Sequence, residues 1–167
     1  MAQLEIRDAD AGDTSAMLAI YNDVLKTSTS IFSDVERTPQ EQQRWFDDRR
    51  AQGWPILVAC AEDAVIGYAS YGPFRTWPGY RHTVENSIYL APSARGRGIG
   101  TQLLHVLVER AESQQLHAVI AGIDGENVGS MRLHEKLGFR KVAELKEVGR
   151  KFDRWLDLVF YQRLLNP

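Results

Sequence analysis

The chain has a single cysteine, Cys60, so no internal disulfide can form, and a lone thiol in a strand-like run is read as a packed side chain rather than a nucleophile. No apolar run comes near the ~18 residues that a membrane-crossing helix requires. The opening stretch MAQLEIRDAD is charged too early for a signal peptide, which points to a cytoplasmic protein. An excess of charge of one sign is also missing. A formal net charge of -2, with 25% of residues charged, gives no basic footprint for nucleic acid, and a small-molecule partner fits better. The four histidines, at 82, 105, 117 and 134, form no ligand spacing with Cys60, so no metal is expected. Repeats, low-complexity segments and linkers are absent too. The 167 residues read as one domain, 1–167, long enough to bury roughly two thirds of the surface of the unfolded chain.

What is present is a succession of short periodic segments. Leu4 and Ile6 alternate with polar residues as a strand, after which Asp13 is placed to cap a helix carrying Met17, Ile20, Tyr21 and Val24. Thr38, Pro39 and Glu41 supply the N-cap, first-turn proline and capping-box partner of a second helix ending near Gly53. PILVACA and VIGYASY then have hairpin spacing. Residues 72–83, GPFRTWPGYRHT, are too rich in turn formers for a helix or central strand and read as a loop of binding groups. A strand over 84–90 puts Val84, Asn86, Ile88 and Leu90 on one face, and Glu85, Ser87 and Tyr89 on the other. A helix follows the glycines at 96, 98 and 100, and HAVIAGI is a buried strand, so this strand-helix-strand unit implies a parallel pair. The remainder reads as a short helix at SMRLHEKL, a strand FRKVAEL, a loop GRKFDR and a last strand WLDLVFYQ. The fold class expected is α/β, a mixed and mostly antiparallel central sheet with helices on both faces.

The glycine loop, Arg95-Gly96-Arg97-Gly98-Ile99-Gly100, sits where a strand gives way to a helix. A helix start offers unpaired N–H groups and a positive dipole end, suited to phosphate where no side chain blocks the approach. The P-loop pattern is excluded because no lysine follows Gly100, and the dinucleotide fingerprint because Thr101 stands where its third glycine belongs. Two readings of the glycines remain, an anion cradle assisted by Arg95 and Arg97 or a tight turn requiring positive φ.

The Arg-x-x-Gly-x-Gly spacing after a proline-terminated strand resembles the GNAT superfamily of N-acetyltransferases, and so does Asn127 followed by SMRLHEKLGF. FRTWPGYRHTVENSIYL, SMRLHEKLGF and KFDRWLDLVFYQ are similar to the branch of phosphinothricin and methionine sulfoximine acetyltransferases over essentially the whole chain. The resemblance implies a splayed parallel pair, acetyl-CoA as co-substrate and acetylation of the α-amino group of a small amino-acid analogue, giving detoxification or resistance; with Cys60 read as packed, direct transfer is expected rather than an acyl-enzyme. It also implies a homodimer. The alternatives are acetylation of a peptide or protein N-terminus, and a coenzyme-A-binding sensor without catalysis.

Acetyl transfer to an amine needs an uncharged nucleophile, a donor for the oxyanion and a proton for the thiolate. Glu85 is the candidate base, provided that burial raises its pKa; an exposed strand residue is the bland alternative. By the resemblance, a backbone N–H at or near Tyr89 serves the oxyanion, Ile88, Tyr89 and Leu90 run along the pantetheine arm, and residues 95–101, Arg95 to Thr101, cradle the pyrophosphate. His134 stands where many relatives carry the tyrosine that protonates the thiolate; an imidazole is chemically able to donate, and a packed helix histidine is the bland alternative. Asn127 and Ser130 either contact the coenzyme or cap the helix. For the acceptor, Arg75 and Arg81, with Phe74, Thr76, Trp77 and Tyr80 between or beside them, suggest a carboxylate clamp beside an apolar pocket. Asn86 and Ser87 adjoin Glu85, and Phe32 lines the side-chain pocket or belongs to the core. Lys151, Phe152, Arg154 and Trp155 either reach a partner's site or form a solvated turn.

Overall fold

The computed structural model describes residues 4–165; Met1 to Gln3, the first residues of the stretch weighed as a leader, and Asn166 and Pro167 lie outside them. The elements follow the expected order: β1 (Leu4–Asp8), α1 (Thr14–Thr27), α2 (Pro39–Ala51), β2 (Ile56–Ala61), β3 (Ala64–Pro73), β4 (Thr83–Leu90), α3 (Ile99–Ser113), β5 (Ala118–Asp124), α4 (Val128–Lys136), β6 (Arg140–Lys151) and β7 (Arg154–Leu164). Among the described residues no helix is long and apolar enough to cross a membrane.

Local chemistry accounts for most boundaries. The capping box of α2 forms as the sequence requires, with Glu41 N–H donating to Thr38 Oγ1 at 3.2 Å and Thr38 N–H to Glu41 Oε2 at 2.8 Å. At α1 the cap differs from expectation. Asp10 opens a single 3-10 turn, Ala11–Asp13, and Asp13 closes the box on the Asp10 N–H while its carboxylate takes two hydrogen bonds from Arg7 at 2.7 and 3.0 Å. Asp13 therefore makes no cap bond to α1, and its pKa lies below the usual carboxylate range, chiefly through the Arg7 hydrogen bond. The presumed loop 149–154 is a second departure. Strand pairing continues through Lys151↔Arg154, leaving a two-residue turn of Phe152 and Asp153 at φ 50° and 56°. Both lie in the left-handed region of a type I′ turn, which Phe-Asp, standing where Asn-Gly or Asp-Gly is usual, does not announce.

The seven strands lie in the order β1-β2-β3-β4-β5-β7-β6, and every neighbouring pair is antiparallel except β4–β5. Residues of α1 and α2, with Tyr68, Val58 and Ile56, form a core on one face. On the other, α3 buries Leu103, Leu104, Leu107 and Val108 against Leu57, Ala69 and Val119. The parallel pair holds for only three residues, Thr83↔Ala118, Val84↔Val119 and Glu85↔Ile120, although β4 runs on to Leu90 and β5 to Asp124. The sheet forks immediately beyond Glu85, and this opening positions the site.

Candidate active site

Two cavities meet in the fork. One, of about 360 Å³, is lined by Glu85 to Tyr89 of β4, Ala121 to Asp124 of β5, Arg49, Gly72 and His134. The other, of about 510 Å³, runs beside Ile88, Tyr89 and Leu90 to Arg95 and Gly96, between the end of α1 and the start of α4. Ser30, Ile88, Tyr89, Asp124, Asn127 and Ser130 line both.

The larger cavity leads to the glycine loop. Gly96 and Gly98 adopt φ 71° and 76°, and a Cβ at either would meet nothing within 4 Å, so the space beside both is open. Both readings of these glycines thus find support, since the turn needs the left-handed region and the approach is clear. Gly100 has a different reason: its Cβ would stand 2.6 Å from Leu133 Cδ1, so it permits close packing of α3 on α4. The first helical bond of α3 is Gln102 N–H to Gly98 O at 3.2 Å, which leaves the preceding N–H groups without helical partners. Arg95 and Arg97 are exposed beside them, Arg95 Nη2 lying 3.7 Å from Asp23. Asn127 caps α4 by accepting from Ser130 N–H at 3.0 Å, and also borders the cavity.

Glu85 stands at the last position at which β4 pairs with β5, beside Gly122, where a Cβ would lie 2.9 Å from Glu85 Oε1. Burial raises the Glu85 pKa, and Arg75 partly offsets this. Strand parity decides which N–H groups face the opening. Ala91 N–H bonds Ile66 O and Phe74 N–H bonds Thr83 O, so along an unbroken ladder the odd residues, Tyr89 included, face β3. Ile88 and Leu90 then direct their N–H groups into the fork, whereas the N–H of Tyr89, at or near which an oxyanion donor was expected, faces β3. The Tyr89 ring packs on Tyr21 and Tyr68 at 5.5 and 5.3 Å, and burial pushes its phenol up to about 12.

His134 is 3% exposed, packed edge-on against Phe139 at 5.0 Å. Nδ1 lies 2.8 Å from Ser130 O, a carbonyl that only accepts, so this nitrogen carries the proton. Burial lowers the His134 pKa, against a smaller opposing effect of that bond, and the ring is neutral at neutral pH. Its Nε2 is then an acceptor. It faces Asn86 Oδ1 at 3.3 Å while the buried Asn86 Nδ2 has no partner, so the amide is better turned to donate Nδ2–H to Nε2. The expected acid would need its proton on Nε2, where this arrangement puts a lone pair.

The remaining expected residues divide. Asn86 and Ser87 line the smaller cavity, whereas Arg75, Thr76, Trp77 and Arg81 are exposed and do not. Arg75 Nη1 donates to Phe74 O and Arg81 Nη1 to Pro78 O, and neither residue lines the cavity. Phe32 fills the space that a side chain at Gly149 would occupy, its Cε2 2.7 Å from that position, and is outside the cavity lining. Lys151 is neither a solvated turn residue nor directed at another chain: its Nζ is buried and donates to Leu25 O, Ser28 O and Ile31 O at 2.5, 2.7 and 2.9 Å. Phe152 and Trp155 are exposed. Residues that the sequence did not single out include Asp124, whose buried carboxylate accepts from Thr29 Oγ1 and Glu126 N–H, Ser30, and Arg49. Only their positions in three dimensions distinguish them.

The sequence profile described as "Acetyltransferase (GNAT) family" matches residues 17–139. An L-methionine sulfoximine/L-methionine sulfone acetyltransferase of Pseudomonas aeruginosa is 47% identical over 163 residues, covering 97% of this chain and 95% of that one. Among solved structures, a phosphinothricin acetyltransferase of Sinorhizobium meliloti in complex with AcCoA superposes with a TM-score of 0.95 at 38% identity, over 98% of this chain and 89% of that one. A ribosomal-protein-alanine N-acetyltransferase from Brucella melitensis superposes with a TM-score of 0.95 at 45% identity, over 96% and 99%.

Proposed function

Because this chain belongs to the GNAT acetyltransferase family, we propose that it transfers the acetyl group of acetyl-CoA directly to the α-amino group of a small amino-acid analogue. Methionine sulfoximine, methionine sulfone and phosphinothricin are the acceptors, and their acetylation is a detoxification. The observation that carries this reading is the forked β4, which sets a carboxylate of raised pKa at the end of one cavity and the open glycine turn at the end of the other.

The residues present suit acetyl-CoA. Two left-handed glycines, the free N–H groups of α3 and two arginines match a pyrophosphate, and Asn127 and Ser130 border the path from it to the fork. Bound there, acetyl-CoA supplies the thioester carbonyl. Glu85, ionised, takes a proton from the acceptor's ammonium and leaves a nucleophilic amine. Ile88 N–H, at the junction of the cavities, donates to the oxygen that gains charge as the amine adds. The second proton that the nitrogen sheds as the amine adds passes to the departing thiolate, so ammonium and thioester become amide and thiol, and the proton taken by Glu85 is the one released overall. His134, protonated on Nδ1, holds Asn86 and closes the α4 side of the fork.

A second reading, acetylation of a protein N-terminus, draws support from the likeness to the Brucella melitensis enzyme. A thiol-release assay across methionine sulfone, methionine sulfoximine, phosphinothricin and alanine-initiated peptides separates the two. Turnover of the free amino acids alone is expected, and turnover of peptides alone would overturn it.

The exposed Val142, Leu145 and Val148 of the edge strand β6, with Phe152 and Trp155 beyond, support the homodimer as part of this reading. Light scattering should give twice the mass of 18.9 kDa.

A further inference from the structure

Arg49 is the cation of the acceptor cavity. It lies in the last turn of α2, and its guanidinium rests against β3 where Gly72 has no side chain; a Cβ there would overlap Nη1 and stand 2.7 Å from Cζ. Its side-chain hydrogen bond is a long one, Nη1 to Ser70 Oγ at 3.3 Å, and the guanidinium sits 5.4 Å from the Trp45 ring centre. No Asp or Glu among the described residues forms an ion pair with it. A guanidinium has five N–H donors, and leaving most of them unused in a partly desolvated site is costly unless a ligand takes them up.

The ladder places this cation beside the base. Gly72 is the direct partner of Glu85, and side chains at paired positions stand on one face about 5 Å apart. The guanidinium fills the side-chain place of Gly72, while the Glu85 carboxylate is turned toward Gly122, so the two charges flank the cavity without neutralising each other. An α-amino acid carries a carboxylate and an ammonium on one carbon, charges opposite in sign to the guanidinium and the carboxylate that line this cavity. We propose that Arg49 binds the α-carboxylate of the acceptor and so directs its α-amino group to Glu85. This rests on the amino-acid reading above. It assigns to a helix the role that the sequence suggested for Arg75 and Arg81 in the loop.

The test compares methionine sulfone with its decarboxylated amine, which keeps the amine and the sulfone and lacks the carboxylate. For the wild type, kcat/KM should favour the amino acid strongly. In Arg49→Met, kcat/KM for methionine sulfone should fall roughly 100-fold, mainly through KM, while the amine changes by less than about threefold. Arg49→Lys, which keeps the charge without the fork of donors, should fall between. Calorimetry should give an unchanged Kd for acetyl-CoA in both variants. Equal losses for the two acceptors, no loss for either, or a parallel loss of acetyl-CoA affinity would each make Arg49 a structural residue and overturn the proposal. A wild type that acetylates neither compound, or only peptides, overturns the acceptor assignment itself and this inference with it.

Discussion

The two ends of the fork, proposed above for donor and acceptor, are built in opposite ways. The donor end is almost continuous in the chain: Ile88 to Leu90, then Arg95 to Thr101, with Asn127 and Ser130 joining from the next helix. It relies on backbone, through two left-handed glycines and the unpaired N–H groups of one helix start. The acceptor end joins Arg49, Gly72, Glu85, Gly122 and His134 from five separate elements and relies on side chains with altered chemistry. A backbone site tolerates surface variation but not a change of φ. A side-chain site is sensitive to each group and its neighbours, which is how one donor serves enzymes with different acceptors.

The largest effect is expected at the acceptor end. Glu85→Gln should lower kcat by about 10²–10⁴-fold and leave acetyl-CoA affinity unaltered. The same change should stabilise the fold. A carboxyl whose folded pKa is raised contributes stability below its unfolded pKa and loses it as pH rises through the folded pKa, so at pH 7 the ionised Glu85 is unfavourable. Removing that charge should raise Tm by about 1–3 °C, read by calorimetry. At the donor end, Gly98→Val places a β-branched residue at φ 76° and should weaken acetyl-CoA binding about 10–100-fold with little change in acceptor KM. Equal damage to both constants would mean that the two ends are not separable.

His134→Phe should cost less than about tenfold in kcat and leave the pH profile its shape, because the neutral ring holds no proton on Nε2. Loss of an alkaline limb in the variant would restore the acid role. With Glu85 as base, the acid limb of kcat/KM should lie above the ordinary glutamate value of about 4.3. Arg75→Gln, which removes the cation that pulls that pKa down, should move the limb further up with a small change in KM; a large KM change would return Arg75 to the carboxylate. The smallest kinetic effect belongs to Asp13→Asn, far from either end, which should cost about 0.5–2 kcal/mol of stability and leave both kinetic constants alone. The contribution of Asp13 exists above its unfolded pKa and is lost as pH falls through the lowered folded value.

Much of the architecture was legible because its signals are local. The α2 capping box, the strand alternation at 84–90 and the apolar stripe of α3 each lie within a single element, and each appears in the structure. The misread segments are those where tertiary contacts outweighed a local preference. Arg7 reaches Asp13 from β1 and takes it from the helix cap, while cross-strand pairs such as Arg150↔Trp155 carry β6 and β7 through the supposed loop. Lys151 appeared to be one member of a cationic run because nothing local says that three carbonyls from residues 25–31 converge on it.

By itself the sequence determined the family, the order of elements and the open glycine turn before α3, because glycine φ, capping and strand parity act between neighbours in the chain. Tertiary structure alone decided where the sheet opens, which N–H faces the opening, which imidazole nitrogen carries the proton and that Arg49 comes to lie beside Glu85. Those outcomes depend on distances between residues dozens of positions apart, which close packing sets and no short pattern of residue types records.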